Sequence, residues 1–252
     1  MKYRRLGNSG LMVSELCLGT MIFGEESDRS TDETTAIKMI HRFLDAGGNF
    51  IDTADVYADG RSEEIIGEAL KGRRDNVVLA TKVRFPTSQD PNDAGLSRRH
   101  IIAGCEASLR PLGTDYVDLL YVHMWDPLTP VEETLRALDG LVTTGKVRYV
   151  GVSNFKAWQV MKALAVSDVH GWARFIAAQY QYSLVVRDIE REFISLFQVE
   201  GLGLTPWGPL GGRFLSGKYR RGERPSEGRI ATTPDHTEES WRRRATEATG
   251  RS

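Results

Sequence analysis

The sequence predicts an α/β chain of the (β/α)8 barrel type, and three observations carry that prediction. Short apolar, β-branched runs alternate with longer segments of helical period along most of the chain. Counted from the last residue of each run, the βα units repeat every ~30 residues, the size of a βαβ element. Runs such as Val117-Asp118-Leu119-Leu120-Tyr121-Val122 are apolar nearly throughout, as parallel strands covered on both faces require. Such strict alternation leaves an open doubly wound sheet or a closed barrel. The open sheet calls for Gly-x-Gly-x-x-Gly after its first strand, whereas the chain reads Leu18-Gly19-Thr20-Met21-Ile22-Phe23-Gly24, so the barrel is preferred.

Seven strands are expected, at Glu15–Met21, Asn49–Thr53, Val77–Lys82, Val117–His123, Val147–Ser153, Phe175–Tyr180 and Gly203–Trp207. Helices are expected between them at Asp32–Ala46, Ser62–Lys71, Ser97–Leu109, Val131–Thr144, Ala157–Ala165 and Asp188–Glu200. Ser30-Thr31-Asp32-Glu33 has the pattern of a capping box, and Pro130 stands where a first helical turn tolerates proline. Gly47, Gly72 and Gly145 follow helix ends, as left-handed C-terminal caps do. Ahead of the first strand, Lys2–Leu6 and Leu11–Val13 flank Gly7-Asn8-Ser9-Gly10, a β-hairpin pattern suited to closing the barrel floor. The chain is read as a single barrel domain over residues 1–252.

A closed barrel of this type needs eight strands. Beyond Tyr219 residues 220–252 form a polar, loop-like tail, so the eighth strand and the C-terminal segment are not legible. Two sheet edges are then left open, a pairing liability. A natively short or truncated chain, and a gap filled by a partner chain such as a second copy in a homo-oligomer, are both consistent with that pattern.

Composition narrows the function classes. The 33 basic and 34 acidic residues nearly cancel, so no overall field draws the chain to nucleic acid or a membrane surface. No apolar run approaches the ~20 residues of a transmembrane helix, and the N-terminus carries no export signal, which suits a cytoplasmic protein. Cys17 and Cys105 both lie in apolar segments and read as two buried free thiols. Histidines and cysteines never fall at ligand spacing, so no metal is expected.

In a (β/α) barrel, the C-terminal strand ends face one mouth. Those ends read Gly19-Thr20, Asp52, Lys82, His123, Ser153-Asn154, Gln179 and Trp207. Tyr57 follows Asp52 closely enough for the intervening loop to return its phenol over the mouth. An ordinary phenol, with a pKa near ~10, is a poor acid at neutral pH. A lysine cation beside it favours the phenolate, and a fall of ~2 units needs roughly 2.7 kcal/mol. Lys82 is the candidate cation, Asp52 its counter-ion, and His123 a hydrogen-bond donor to a substrate carbonyl or a proton relay. Asp52 and Lys82 alone would equally suit a structural ion pair, and a lone histidine a structural one; their alignment with Tyr57 favours chemistry. Asp55 reads as a loop residue rather than a catalyst. Phe23 and Trp125 are candidates for the substrate pocket.

The ordered set Leu18-Gly19-Thr20-Met21, Phe50-Ile51-Asp52-Thr53-Ala54-Asp55-Val56-Tyr57, Thr81-Lys82, Asp118-Leu119-Leu120-Tyr121-Val122-His123, Gly145–Phe155 and Gln179–Leu184 resembles the aldo-keto reductases from about Tyr3 to Tyr219. That resemblance implies reduction of an aldehyde or ketone to an alcohol by NAD(P)H, with NADP(H) favoured over NAD(H). Tyr57 would be the general acid, Lys82 and Asp52 its tuning pair, and His123 the group that orients the carbonyl. Ser153, Asn154 and Gln179 would hold the nicotinamide carboxamide, with Gly19, Thr20, Met21 and Asp52 lining the same end. Trp207 would stack on the nicotinamide ring. Many relatives carry tyrosine then serine there, whereas this chain has Trp207-Gly208-Pro209-Leu210. Gly208, Pro209, Leu210, Gly212, Gly217 and Lys218 would continue along the pyrophosphate. Arg242-Arg243-Arg244 suits a 2′-phosphate by charge, although the resemblance places that contact elsewhere. Barrel subunits that accompany some ion channels resemble the same family, so a cofactor-binding regulatory subunit and an inactive truncated reductase are the alternative expectations.

Overall fold

The computed structural model describes residues 1–25, 30–212 and 214–217. An antiparallel hairpin, β1 (Tyr3–Arg5) and β2 (Met12–Ser14), precedes one parallel sheet. The sheet consists of β3 (Leu18–Gly19), β4 (Phe50–Asp52), β5 (Val78–Val83), β6 (Val117–Val122), β7 (Val147–Ser153), β8 (Phe175–Gln181) and β9 (Gly203–Trp207), hydrogen-bonded in sequence order. Helices α1 (Glu33–Asp45), α2 (Arg61–Ala69), α3 (Arg98–Leu112), α4 (Val131–Thr143), α5 (Ala157–His170) and α6 (Phe193–Glu200) lie between the strands. The strands curl into a partial (β/α)8 barrel of seven, and among the described residues β3 and β9 are its unpaired edges. Lys218, the arginine run and the rest of the polar tail lie outside the described residues.

Strand β6 shows how sequence becomes barrel. Leu119 and Tyr121 join Phe50, Val78, Ala80 and Ala177 inside the sheet, while Val117, Leu120 and Val122 join the helix-side core. Both strand faces are therefore dry, which is why the run lacks polar alternation. Its one charge, Asp118, accepts from Arg74 at 2.8 Å and from the Leu79 amide at 2.9 Å, so no buried oxygen is orphaned.

The hairpin plugs the inner space, as its turn pattern predicts. Leu6 and Val13 are buried with the inward residues of β4, β5, β6 and β8, each such burial worth about 1.5–3 kcal/mol. Asn49 ties β2 to the sheet, its Oδ1 accepting from the Ser14 amide at 2.7 Å and its Nδ2 donating to the Met12 carbonyl at 3.1 Å. The turn seats against the start of β9, with the Asn8 amide donating to the Gly201 carbonyl at 2.8 Å.

Several boundaries differ from expectation. The first strand shrinks to Leu18–Gly19, because Glu15 extends the hairpin through its amide bond to the Lys2 carbonyl and no strand among the described residues pairs on the outer edge. Cys17 retains exposed surface rather than the full burial expected, although desolvation still pushes its thiol pKa up; Cys105 is buried as expected, and burial pushes its thiol up to about 12. The cap of α1 is Asp32, which accepts from the Thr35 amide at 3.0 Å, not Ser30. Thr31 is unavailable to the helix because its backbone bridges Phe23. Helix α5 runs past Ala165 to His170, since the chain first meets a left-handed stop at Gly171. The segment expected as one helix over Asp188–Glu200 is a short turn at Asp188–Glu190 and then α6, separated where Glu192 leaves helical φ at −131°. Gly47, Gly72 and Gly145 adopt positive φ after their helices, as expected.

Replacing Gly7 tests the plug. Its φ is +61°, and a Cβ there would meet the Gly201 and Ile176 carbonyl oxygens at 2.4 and 2.5 Å. Gly7→Ala is expected to cost about 2 kcal/mol or more in urea unfolding. An unchanged midpoint would show that the hairpin does not seat on β9.

Candidate active site

The site is organised by one buried ammonium. Lys82, near the end of β5, has no solvent exposure. A protonated lysine has three N–H donors and must find three acceptors when buried. It donates to Asp52 Oδ2 at 2.6 Å, to the Thr53 carbonyl at 2.7 Å and to Tyr57 Oη at 3.1 Å. The other Asp52 oxygen, Oδ1, accepts from Gln179 Nε2 at 3.0 Å, a bond that crosses from β4 to β8. Burial pushes the Lys82 pKa down, but the charge of Asp52 and the two side-chain hydrogen bonds outweigh it, and the net direction is upward. The lysine therefore stays charged.

Local structure brings Tyr57 to that ammonium. After β4 the Thr53 amide bonds to the Ala80 carbonyl at 2.9 Å, and a turn follows in which the Tyr57 amide bonds to the Ala54 carbonyl at 3.1 Å. Ala58, Asp59 and Gly60 then take left-handed φ values of 50°, 52° and 89°, reversing the chain into α2. The Ser62 hydroxyl pins the turn from below, 2.8 Å from Thr20 Oγ1 and 3.0 Å from Thr53 Oγ1. Because Tyr57 Oη accepts from Lys82, its own hydrogen is left to point to another acceptor.

Burial, the largest influence, raises the Tyr57 pKa; Lys82 pulls it down and Asp52 adds to the rise, leaving the net direction upward. The expectation of a lowered phenol pKa is thus not met, because desolvation exceeds the pull of a cation already neutralised by Asp52. His123, directly after β6, lies edge-on to Tyr57 at 6.1 Å between ring centroids and to Phe85 at 4.7 Å. Burial first, then the positive charges of Lys82 and Arg84, lowers its pKa to about 3. It is a neutral imidazole at physiological pH, suited to donating a hydrogen bond rather than relaying a proton as a cation.

A second group adjoins this one. Asn154, itself at φ 57°, donates to the His123 carbonyl at 3.1 Å and to Ser153 Oγ at 2.8 Å. Ser153 donates to the Gln179 carbonyl at 2.9 Å, and Trp207 Nε1 donates to Asn154 Oδ1 at 3.2 Å. One hydrogen-bonded chain thus joins the ends of β6, β7, β8 and β9, and through Gln179 reaches Asp52. Gly19 and Met21 are exposed, and the Thr20 amide bonds to the Asp52 carbonyl at 3.1 Å. After β9, Gly208, Gly212 and Gly217 all take positive φ, with Leu210 exposed between them; Pro209 is exposed too.

Two expected pocket residues fare differently. Phe23 is 1% exposed in the helix-side core, which removes it from the mouth: its backbone bridge to Thr31 carries the side chain inward. Trp125 is half-buried, edge-on to Phe155 at 5.1 Å and tilted against the exposed Trp158 at 5.8 Å. Sequence reasoning did not find the Thr53 carbonyl, Ser62 or Phe85. Thr53 has no signature beyond adjacency to Asp52 and Ser62 none beyond opening the helix after Tyr57; Phe85 stands three residues past Lys82 and two beyond the strand end.

Fold and site together define a parallel barrel whose mouth carries a tyrosine held by a buried lysine–aspartate pair. A family model for the Aldo/keto reductase family matches residues 15–248. The chain is 44% identical over 236 residues to a probable voltage-gated potassium channel subunit beta of Oryza sativa subsp. japonica, covering 92% of this chain and 70% of that protein. It is 43% identical over 226 residues to norsolorinic acid reductase stcV of Emericella nidulans, covering 85% of this chain and 57% of that protein. An uncharacterized oxidoreductase, YrpG, of Bacillus subtilis is 43% identical over 230 residues, covering 86% and 69%. The chain belongs to the aldo/keto reductase family.

The ion pair can be tested by stability alone. Lys82→Met leaves a buried carboxylate without its counter-charge and is expected to cost about 3–5 kcal/mol, and adding Asp52→Asn should recover most of that. A double variant as unstable as Lys82→Met would show that the pair is not the dominant contact.

Proposed function

We propose that the chain reduces an aldehyde or ketone to the alcohol, with Tyr57 as the proton donor and NADP(H), in preference to NAD(H), as the cofactor. The observation that carries this reading is the saturation of Lys82: its three donors go to Asp52, Thr53 and Tyr57 Oη, so the Tyr57 hydrogen is free for a substrate oxygen. The net upward pKa keeps that proton in place until a carbonyl oxygen begins to gain negative charge. His123, neutral and in edge contact with Tyr57, donates a hydrogen bond to the same oxygen and fixes its direction.

The residues present fit a nicotinamide nucleotide. Gln179 spends its Nε2 on Asp52, and among the described residues its Oε1 has no donor, which suits the N–H of a carboxamide. Ser153 and Asn154 adjoin it. The Trp207 ring is 41% exposed and steadied by Asn154, as an aromatic that stacks on a ligand ring should be. Gly19 and Met21 would line that end, with Thr20 fully buried beneath them and its hydroxyl 2.8 Å from Ser62 Oγ rather than free for the ligand. Gly208, Pro209, Leu210, Gly212 and Gly217 would follow the phosphates. When bound, the nucleotide supplies the hydride.

Membership of the family and the free state of Cys17 and Cys105 support a reducing, cytoplasmic setting for this activity. The relative named as a channel subunit favours a second reading, in which the barrel binds nucleotide as a regulatory subunit.

The deciding assay follows loss of reduced-cofactor absorbance at 340 nm over a panel of aldehydes, beside fluorescence titrations with NADPH and NADH. Turnover is expected in the parent, with a fall of at least ~100-fold in Tyr57→Phe and nucleotide affinity unchanged. Nucleotide binding without turnover would favour the regulatory reading, and equal turnover in both proteins would remove Tyr57 as the acid.

A further inference from the structure

A second acid lies in the turn that carries the tyrosine, and the reaction described above does not use it. Asp55 stands two residues before Tyr57, in the same turn. Both of its carboxyl oxygens are shielded from solvent and no side chain among the described residues bonds to them; only the backbone amides of Val56 and Asp55 itself offer partial compensation. A loop carboxylate would ordinarily turn to water, because an unpaired buried charge is costly. Here the backbone holds it in: the Asp55 amide meets the Lys82 carbonyl at 3.4 Å, beside β5. Gly104 of α3 leaves the room. A Cβ at Gly104 would stand 4.0 Å from Asp55 Oδ2 and only 2.8 Å from Val83 Cγ2.

The groups around Asp55 come from three elements and its own turn. From α2 comes Glu63, 2% exposed, which accepts from Thr81 Oγ1 at 2.6 Å and also bonds to Ser108. From β5 comes the Lys82 ammonium, which attracts a charge on Asp55. From α3 come Gly104, Ser108 and Cys105, whose thiol is pushed far above neutrality by burial. On its own turn is Tyr57, whose phenol responds to the charge of Asp55. Glu63 is satisfied by hydroxyl donors and Asp55 is not, so of the two neighbouring carboxyls Asp55 is the one less able to hold a charge.

We propose that Asp55 is a positioning residue for Tyr57: neutral, it leaves the phenol at its strongest as an acid, and on ionising it sets a negative charge in the turn that carries Tyr57 and makes it a weaker proton donor. This rests on the reductase reading above. Burial, followed by the charge of Glu63, brings the Asp55 carboxyl up to about 7, within the range where the change would be felt. A negative charge nearby disfavours phenolate, so the sign is a loss of donor strength as pH rises through neutrality. The same titration appears in stability. The folded chain holds this proton well above the ~3.9 of an unfolded aspartate, so stability from this group is present at low pH and lost as pH climbs toward neutrality.

Asp55→Asn, which is isosteric with the neutral acid, tests the proposal. In the parent, the single-turnover rate of aldehyde reduction with NADPH should fall ~3-fold or more between pH 6 and pH 8.5 beyond any fall in the variant. Carbon-13 NMR of Cζ-labelled tyrosine should place the Tyr57 titration lower in Asp55→Asn than in the parent at pH values where Asp55 is ionised. The urea midpoint of the variant should exceed that of the parent at pH 8 and converge with it only below about pH 4, where the aspartate is protonated in both folded and unfolded chains. Parallel pH profiles with an unmoved Tyr57 resonance would overturn the proposal. Should the variant fail to fold, carbon-13 titration of labelled aspartate in the parent decides instead: no aspartate carboxyl titrating near neutrality would overturn it, and one that does would support it. A Tyr57 titration that moves in a chain without reductase turnover would support the coupling and reject the reductase reading.

Discussion

The ammonium of Lys82 is the constraint on which the mouth of this barrel depends. A cation with no solvent exposure must spend every N–H on the protein. It does so on one carboxylate, one backbone carbonyl and one phenol, contributed by β4 and the turn that follows it. Each acceptor is held in turn. Asp52 is fixed from the far side by Gln179 of β8, and the Thr53 turn is pinned by Ser62 at the start of α2. The position of the phenol is therefore a consequence of satisfying a buried charge, not of a loop that happens to fold over.

The same arrangement sets the charge state of the two rings at the mouth. Positive charge from Lys82 reaches both, but burial acts on them in opposite directions in charge terms. It keeps Tyr57 protonated and His123 deprotonated, so both are neutral across physiological pH. A neutral phenol that accepts from lysine has its hydrogen to give; a neutral imidazole can orient an oxygen without competing as an acid. Holding both groups uncharged also spares the dry end of the barrel a second unpaired ion.

Beneath the site, the barrel is stabilised by two apolar layers of different origin. The helix-side core is continuous from Phe23 to Leu202 and draws on every helix. The inner cluster is small and relies on Leu6 and Val13 of the hairpin to fill it. Inner residues above that plug, from Asp52 and Lys82 upward, are polar and satisfied by one another rather than by water. The division between plug and site is thus also the division between apolar and polar strand residues.

How much of this was legible in the sequence follows from its range in space. Local and periodic features determined the strand–helix alternation, the seven parallel strands, the hairpin and the polar residues at strand ends, because each depends on neighbours a few positions away. Boundaries set by distant partners were not legible. Thr31 is taken from α1 by Phe23, and the first strand is cut short where no strand among the described residues pairs with its outer edge. The four mouth residues Asp52, Tyr57, Lys82 and His123 could be named from the sequence, but not their protonation. Only the tertiary structure decided that desolvation would outweigh Lys82 at Tyr57, would keep His123 neutral, and would bury Asp55 without a side-chain partner. Chemical identity is written along the chain, whereas the dielectric around a group is made by everything packed against it.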